Sequence, residues 1–304
     1  MNKLESLAAF VEVARQGGFS QAARALGTPL STVSRRVAEL EESLGVRLLQ
    51  RSTRQVALTE SGVDYFHSCL RILQDLSAAD QNVTGQYHAP QGELSITAPL
   101  GFGRQHVQPV ALEFLRLYPA IDLRLVLVDR IVNLMDEHID LALRIAQLPD
   151  SSLIARRVGQ LAMVVCASPH YLQRHGVPRH PDQLAERDCI SWSGLGPFKA
   201  WEFTIDGVNR QFPIRTRITT TSPDSAVAAA IEGMGLAQVT TYQAEQAVKN
   251  GQLAVVLREF AAASTPVSLV YPGTKGVPVK LRAFLDFAVP RLTERLADIE
   301  RIAF

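Results

Sequence analysis

Between residues 20 and 45, glycine and proline cut the chain into two short helices joined by a turn of a few residues, and no other stretch limits the fold as tightly. Ser20 reads as the N-cap of a helix over 21–26, which Gly27 ends. Thr28 then offers a capping hydroxyl and Pro29 a favoured first helical residue, so a second helix is expected over 30–44, closed by Gly45. Val33, Val37, Leu40 and Leu44 recur at helical spacing and predict one buried stripe. The opposite face of its first turns carries Leu30, Ser31, Thr32, Ser34, Arg35 and Arg36. Small hydroxyls and arginines at the N-terminal end of a helix suit entry into a major groove, where arginine meets guanine or phosphate.

Charge is distributed in keeping with that reading. The whole chain has a net charge of only +1, so bulk charge cannot attract a polyanion. Residues 20–54, in contrast, hold six arginines (24, 35, 36, 47, 51 and 54) against three glutamates (39, 41 and 42), all three towards the far end of the second helix. Two apolar runs, 46–49 and 56–58, flank a polar turn and predict a hairpin whose turn carries Arg51 and Arg54. Such a wing suits the minor groove or the phosphate backbone.

The texture then changes twice. From Thr59, read as a helix cap, to about residue 87 there is one long helical stretch. Its residues Val63, Phe66, Leu70 and Leu73, with Ser77, keep three–four spacing. That seam could pack on its own domain or pair with a second copy of the chain, and a helix standing between two domains favours pairing. A Pro90 and Gly92 hinge follows. Beyond it, apolar runs at 93–98, 121–128, 141–145, 162–166, 236–239, 253–257 and 267–271 alternate with helical patterns, which predicts parallel α/β sheets. The expected domains are therefore 1–58, a linker over 59–91 and an α/β domain over 92–304. That much α/β chain fits two small sheets better than one.

In open α/β sheets ligands gather beyond the carboxyl ends of strands, beside helix N-termini whose free amides favour anions. Two segments qualify: Thr97, Ala98, Pro99, Leu100 and Gly101 after the first strand, and Thr220, Thr221 and Ser222 before Pro223. Arg144, ending an apolar strand, needs an anionic partner, either a ligand or a carboxylate of the chain, Asp140 or another. Trp201 lies in a loop-rich part where it could help to shape the pocket.

Catalysis and metal binding find no support. The seven histidines and three cysteines are scattered. There is no HExxH, GxSxG, P-loop or CxxC, and GxGxxG is incomplete after Gly101 and Gly103. No catalytic residue, metal or cofactor is expected. An odd, dispersed cysteine set fits a reducing cytoplasm. Glu5 and Glu12 interrupt what a signal peptide would keep apolar, and no stretch approaches the roughly 18 apolar residues of a bilayer span. These features count against an exported solute-binding protein. An α/β enzyme whose N-terminal helices serve only for oligomerisation stays open on residues alone.

The residues Phe10-Val11-Glu12-Val13-Ala14, Gly18-Phe19-Ser20-Gln21-Ala22-Ala23, Val33-Ser34-Arg35-Arg36-Val37, Leu40-Glu41-Glu42-Ser43-Leu44-Gly45, Arg51 and Leu58-Thr59-Glu60-Ser61-Gly62 closely resemble the LysR-type transcriptional regulators. The likeness continues through Thr97-Ala98-Pro99, Ile139-Asp140-Leu141-Ala142-Leu143-Arg144-Ile145 and Gly233-Met234-Gly235-Leu236-Ala237. It implies an all-α winged helix-turn-helix with the helix near Pro29 as the reading helix. A dimerising linker helix and a C-terminal effector domain similar to periplasmic binding proteins should follow, with lobe one at 92–162 plus 267–304 and lobe two at 163–266. The implied function is sequence-specific control of transcription. The partners would be double-stranded promoter DNA, a small-molecule effector (an organic acid on the polarity of the pocket) and further copies in a homodimer or homotetramer. One departure matters: Leu30-Ser31 stands where many members carry Gln-Pro or Gln-Ser. An amide able to read adenine is missing there.

Overall fold

The computed structural model describes residues 2–51, 56–84, 89–149, 152–192, 200–273 and 276–303. They form two compact units, Met1–Gly92 with Pro278–Lys280, and Glu93–Val277 with Leu281–Phe304.

In the first unit, α1 (Lys3–Gln16), α2 (Phe19–Ala25) and α3 (Leu30–Leu44) are followed by the antiparallel pair β1 (Leu49–Arg51) and β2 (Val56–Leu58), then by α4 (Glu60–Thr84). Gly45 ends α3 at φ 69°, a left-handed conformation that costs glycine nothing. The stripe read from the sequence is the core: Val33, Val37 and Leu40 are fully buried against Phe10, Val13, Leu48 and Leu49, with Leu44 packed at its edge. Both amides that open β1, those of Leu48 and Leu49, donate to one Glu41 oxygen at 2.9 and 3.0 Å. That acid serves as a structural bracket between α3 and the β1–β2 hairpin.

Two of the expected caps differ. Helix α2 begins at Phe19, with Gly18 before it, so Ser20 lies inside the first turn. Pro29 occupies the N-cap of α3, and the Thr28 hydroxyl instead donates to the Leu26 carbonyl at 3.1 Å. Proline has no side-chain acceptor, so α3 starts without a capping hydroxyl.

The second unit holds two five-stranded sheets. The first contains β3 (Gly92–Ala98), β4 (Ile121–Leu127), β5 (Leu141–Ile145), β6 (Leu153–Leu161) and β14 (Thr265–Pro272), in the order β4-β3-β5-β14-β6. The second contains β7 (Met163–Ala167), β8 (Asp188–Trp192), β11 (Arg215–Thr220), β12 (Leu236–Thr240) and β13 (Ala254–Val256), in the order β11-β8-β12-β7-β13. A separate hairpin joins β9 (Ala200–Ile205) to β10 (Val208–Pro213). The chain therefore passes between the sheets twice, after β6 and before β14.

The sheets are mixed, which corrects the expectation of purely parallel ones. Strand β3 runs parallel to β5, and β8 parallel to β11 and β12, but β14 is antiparallel to both its neighbours and β7 to both of its own. Alternation of strand and helix predicts parallel pairing only where a helix carries the chain back to the same sheet. Chain that crosses from one sheet to the other escapes that constraint.

Helices complete the lobes. Leu100–Phe102 (α5) runs through a π-helical turn, Gly103–Val107, into α6 (Gln108–Leu117). Lobe two carries α7 (Pro169–His175), α8 (Pro223–Ile231) and α9 (Thr241–Lys249). Helix α10 (Val279–Ala303) returns to lobe one and buries Leu281, Phe284, Leu285, Ala288, Leu292, Leu296 and Ile299 against the first sheet.

Candidate nucleic-acid interface and ligand cleft

Helix α3 presents a sharply divided surface. Leu30 and Ser31 are exposed, Thr32 and Ser34 partly so, and the Arg35 side chain is 71% exposed. Among the described residues Arg35 pairs with Glu39, 3.8 Å away on the next turn, a pairing worth little in water. Arg36 differs: only 26% of its side chain is exposed, and it is bound to Glu5 of α1. Ser20 is exposed on α2, and Pro29 starts α3 with its carbonyl accepting from the Thr32 and Val33 amides. Arg51 ends β1, but its side chain and Arg54 lie outside the described residues.

The α4 seam has a different geometry from that expected. Phe66, Leu70 and Leu73 pack against the core of their own domain, and the Phe66 ring meets Phe10 edge-on at 6.4 Å. Val63 is exposed, and so are Ile72 and Leu76, further along the helix. Helical spacing identified an apolar stripe but not which neighbour covers it.

In the effector domain the structure brings the two candidate segments, 97–101 and 220–222, to the cleft between the lobes. Pro99 caps α5 and Ser222 caps α8, the Ser222 hydroxyl accepting from the Ser225 amide at 3.4 Å. Arg104 of lobe one reaches Asp224 of lobe two at 3.4 Å, and Gly101 is so near Tyr242 that a Cβ there would lie 3.1 Å from its hydroxyl. The individual residues are already engaged. The buried Thr97 hydroxyl donates to the Val126 carbonyl at 2.8 Å, and the Thr220 hydroxyl accepts from the Ser222 amide at 3.2 Å. The Leu100 amide donates to the Asp129 carboxylate at 2.9 Å. Ala98 is buried, while Leu100 and Thr221 are exposed at the rim.

Arg144 does not join them. Its guanidinium donates to the Val132 carbonyl at 2.9 Å, beneath the segment that follows β4. Asp140, its alternative partner, accepts from the Ser95 amide instead. Burial lowers the Arg144 pKa, and only the charge of Glu137 opposes this. The side chain braces a loop. Trp201 is 5% exposed and belongs to the lobe-two core.

A polar cluster that the sequence did not reveal ties α9 of lobe two to lobe one. Tyr242 inserts among lobe-one core residues, its ring 5.3 Å from Phe102 and 5.8 Å from His106, edge-on to both. One turn on, the buried Glu245 accepts two hydrogen bonds from Arg295 of α10 and one from Lys249 at 2.7 Å. Burial pushes the Glu245 carboxyl up, but the hydrogen bonds from Arg295 and Lys249 outweigh it and leave the pKa below the usual value. Arg295 Nε also donates to His106 Nδ1 at 3.3 Å. Burial, reinforced by the Arg295 charge, lowers the His106 pKa to about 4, so the imidazole is neutral at physiological pH. An accepting Nδ1 places the proton on Nε2, which is buried without a partner among the described residues. Spacing could not have found this cluster, because its members are drawn from three helices far apart in the chain.

A cavity of about 270 Å3 opens elsewhere in lobe two, between Tyr171, His175, Glu186, Asp188 and Arg215. Asp188 on its wall pairs with Arg215, and also with Arg217 outside the cavity. All three cysteines are buried, and burial raises Cys69 to about 11 and Cys166 and Cys189 to about 12, far from a reactive thiolate. Among the described residues no group of His, Cys, Asp or Glu could hold a metal ion, and no helix is long and apolar enough to cross a membrane.

Residues 4–63 match the bacterial regulatory helix-turn-helix protein model of the LysR family, and residues 88–293 match the LysR substrate binding domain. The chain belongs to the LysR family of transcriptional regulators. This LysR-type regulator is 36% identical to the HTH-type transcriptional regulator CrgA of Neisseria meningitidis, over 96% of this chain and 98% of that one. It is 33% identical to the HTH-type regulator YhjC of Escherichia coli, over 97% and 100% respectively. The solved structure of CrgA superposes with a TM-score of 0.60 at 35% identity, covering 95% of this chain and 98% of that chain. Full-length AphB, a virulence activator of Vibrio cholerae, gives 0.60 at 27%, covering 94% and 98%. The LysR-type regulator is therefore a DNA-binding protein with an effector-binding domain, and not an enzyme.

Proposed function

We propose that this regulator reads duplex DNA with the outward face of α3, through Leu30, Ser31, Thr32, Ser34 and Arg35. Ser20 and Pro29 would border the contact, and Arg51 and Arg54 would extend it as a wing. The exposure of Arg35, on a helix otherwise anchored by Val33, Val37 and Leu40, carries this reading. With a promoter duplex obtained by selection from random sequence, Arg35→Ala should weaken binding roughly ten- to hundredfold at matched salt. Unchanged affinity with an intact fold would remove α3 from the interface.

The small-molecule effector would bind where Pro99–Arg104 faces Ser222–Asp224, between the lobes. An organic acid is the favoured class, because Arg104 is held only by an exposed ion pair with Asp224, of the kind worth under about 1 kcal/mol. An anion there would exchange one carboxylate for another and bias the two lobe arrangements by its unequal affinity for them. Small dicarboxylates should raise the melting temperature of the wild type but not of Arg104→Ala. Stabilisation by apolar compounds alone would contradict the assignment.

Two copies would join through the exposed α4 residues Val63, Ile72 and Leu76, as a homodimer or a dimer of dimers acting in the cytoplasm, where the DNA is. A monomeric mass by light scattering would exclude this.

A further inference from the structure

Arg35 and Arg36 are adjacent and chemically identical, yet the fold treats them differently. Successive helical residues are separated by about 100°, so Arg35 points directly away from the buried Val33–Val37–Leu40 stripe while Arg36 lies on the flank facing α1. There the Glu5 carboxylate meets it. One Glu5 oxygen takes the Arg36 guanidinium and the other accepts from the Asn2 side-chain amide at 2.8 Å, so both are held. Glu5 also sits in the first turn of α1, where the helix dipole favours a carboxylate. The result is a neutral pair bridging α1 and α3, on a helix whose other arginine, Arg35, is 71% exposed and only loosely paired with Glu39.

We propose that Glu5 is a positioning residue that withholds Arg36 from the phosphate backbone, leaving Arg35 as the α3 arginine that meets duplex DNA. This rests on α3 being the element that enters the groove. A neutralised Arg36 limits sequence-independent attraction to phosphate while the bridge fixes the angle of the reading helix against α1. Freeing it would add one cation at the edge of the contact. Every released counterion is worth about 0.9 in the slope of log affinity against log salt, so the change is measurable without knowing the operator.

The probe is a mixed-sequence duplex, titrated with the full chain between about 50 and 200 mM KCl. Glu5→Ala should tighten binding several-fold and steepen the salt slope by about 0.9. The double variant Glu5→Ala/Arg36→Ala, which removes both charges of the pair, should keep the wild-type slope. Glu5→Gln, which retains a side chain able to bond Asn2, should tighten binding in the same direction and covers the case in which Glu5→Ala does not fold. The proposal is overturned if the double variant flattens the slope as Arg35→Ala does. It is equally overturned if the glutamate variants leave binding unchanged, or if their gain survives in the double variant. An Arg35→Ala protein with unaltered slope and affinity would instead strike at the role of α3, whatever Glu5 does.

Discussion

Replacing Arg295 by methionine should destabilise the effector domain by about 3 kcal/mol, because Glu245 would stay buried with one partner fewer. Removing one member of a buried pair leaves the desolvation of the other uncompensated, and Lys249, half exposed, answers only part of it. His106 Nδ1 would lose its donor as well. For a domain of this size, each kcal/mol moves the melting temperature by about 2–4 °C, so the shift should be about 6–12 °C. The double variant Arg295→Met/Glu245→Leu distinguishes this mechanism from simple loss of packing. Substituting both charges by apolar side chains of similar volume is often neutral. It should therefore recover most of the loss, and equal melting temperatures for single and double variants would count against the clamp.

Gly62→Ala should be the most damaging small substitution in the DNA-binding domain. Glycine to alanine inside a helix ordinarily stabilises by up to about 1 kcal/mol, so the sign itself is diagnostic. Here the added Cβ would lie 2.0 Å from the Leu48 carbonyl oxygen. The helix cannot easily retreat. The Thr59 amide donates to that same carbonyl at 2.9 Å, its hydroxyl donates to the Arg47 carbonyl at 2.8 Å, and the hydroxyl also accepts from the Gly62 amide at 3.0 Å. A loss of roughly 2–3 kcal/mol is expected, with weakened DNA binding, as the start of α4 is pushed off the wing. Hydrogen exchange of the α1–α3 amides in the full chain measures it. Exchange no faster than in Ser61→Ala would mean that the contact is looser than the geometry indicates.

These two sites also mark what could be read from the sequence. Thr59 and Gly62 announce a capped helix start, and the Val33, Val37, Leu40 stripe declares the packed face of α3. Local spacing encodes both. Arg36 shows where locality ends. Its position on α3 matched that of a DNA-contacting side chain, and only the fold brings Glu5, 31 residues earlier, to its guanidinium. The same limit applies to Phe66, Leu70 and Leu73, whose periodicity does not name the surface they cover. Strand β6 escaped notice because residues 154–157, Ile-Ala-Arg-Arg, are exposed on an edge strand and lack the apolar run of a buried one. In the cleft between the lobes, the turns at Pro99 to Gly101 and Thr220 to Ser222 could be found from turn chemistry. Arg104, Asp224 and Tyr242 could not, since nothing local distinguishes them from ordinary helix residues.

The position of β14 has a consequence for how the protein is made. It lies between β5 and β6, yet its residues are separated from β6 by all of lobe two. While the ribosome is still synthesising residues 163–256, β6 has no hydrogen-bonded neighbour in its own sheet, and the apolar face that α10 will cover is bare. The winged helix and lobe two are each continuous in sequence and can close as they emerge. Lobe one is begun before lobe two and finished after it, and it spends the whole of lobe two's synthesis as an open edge in need of protection.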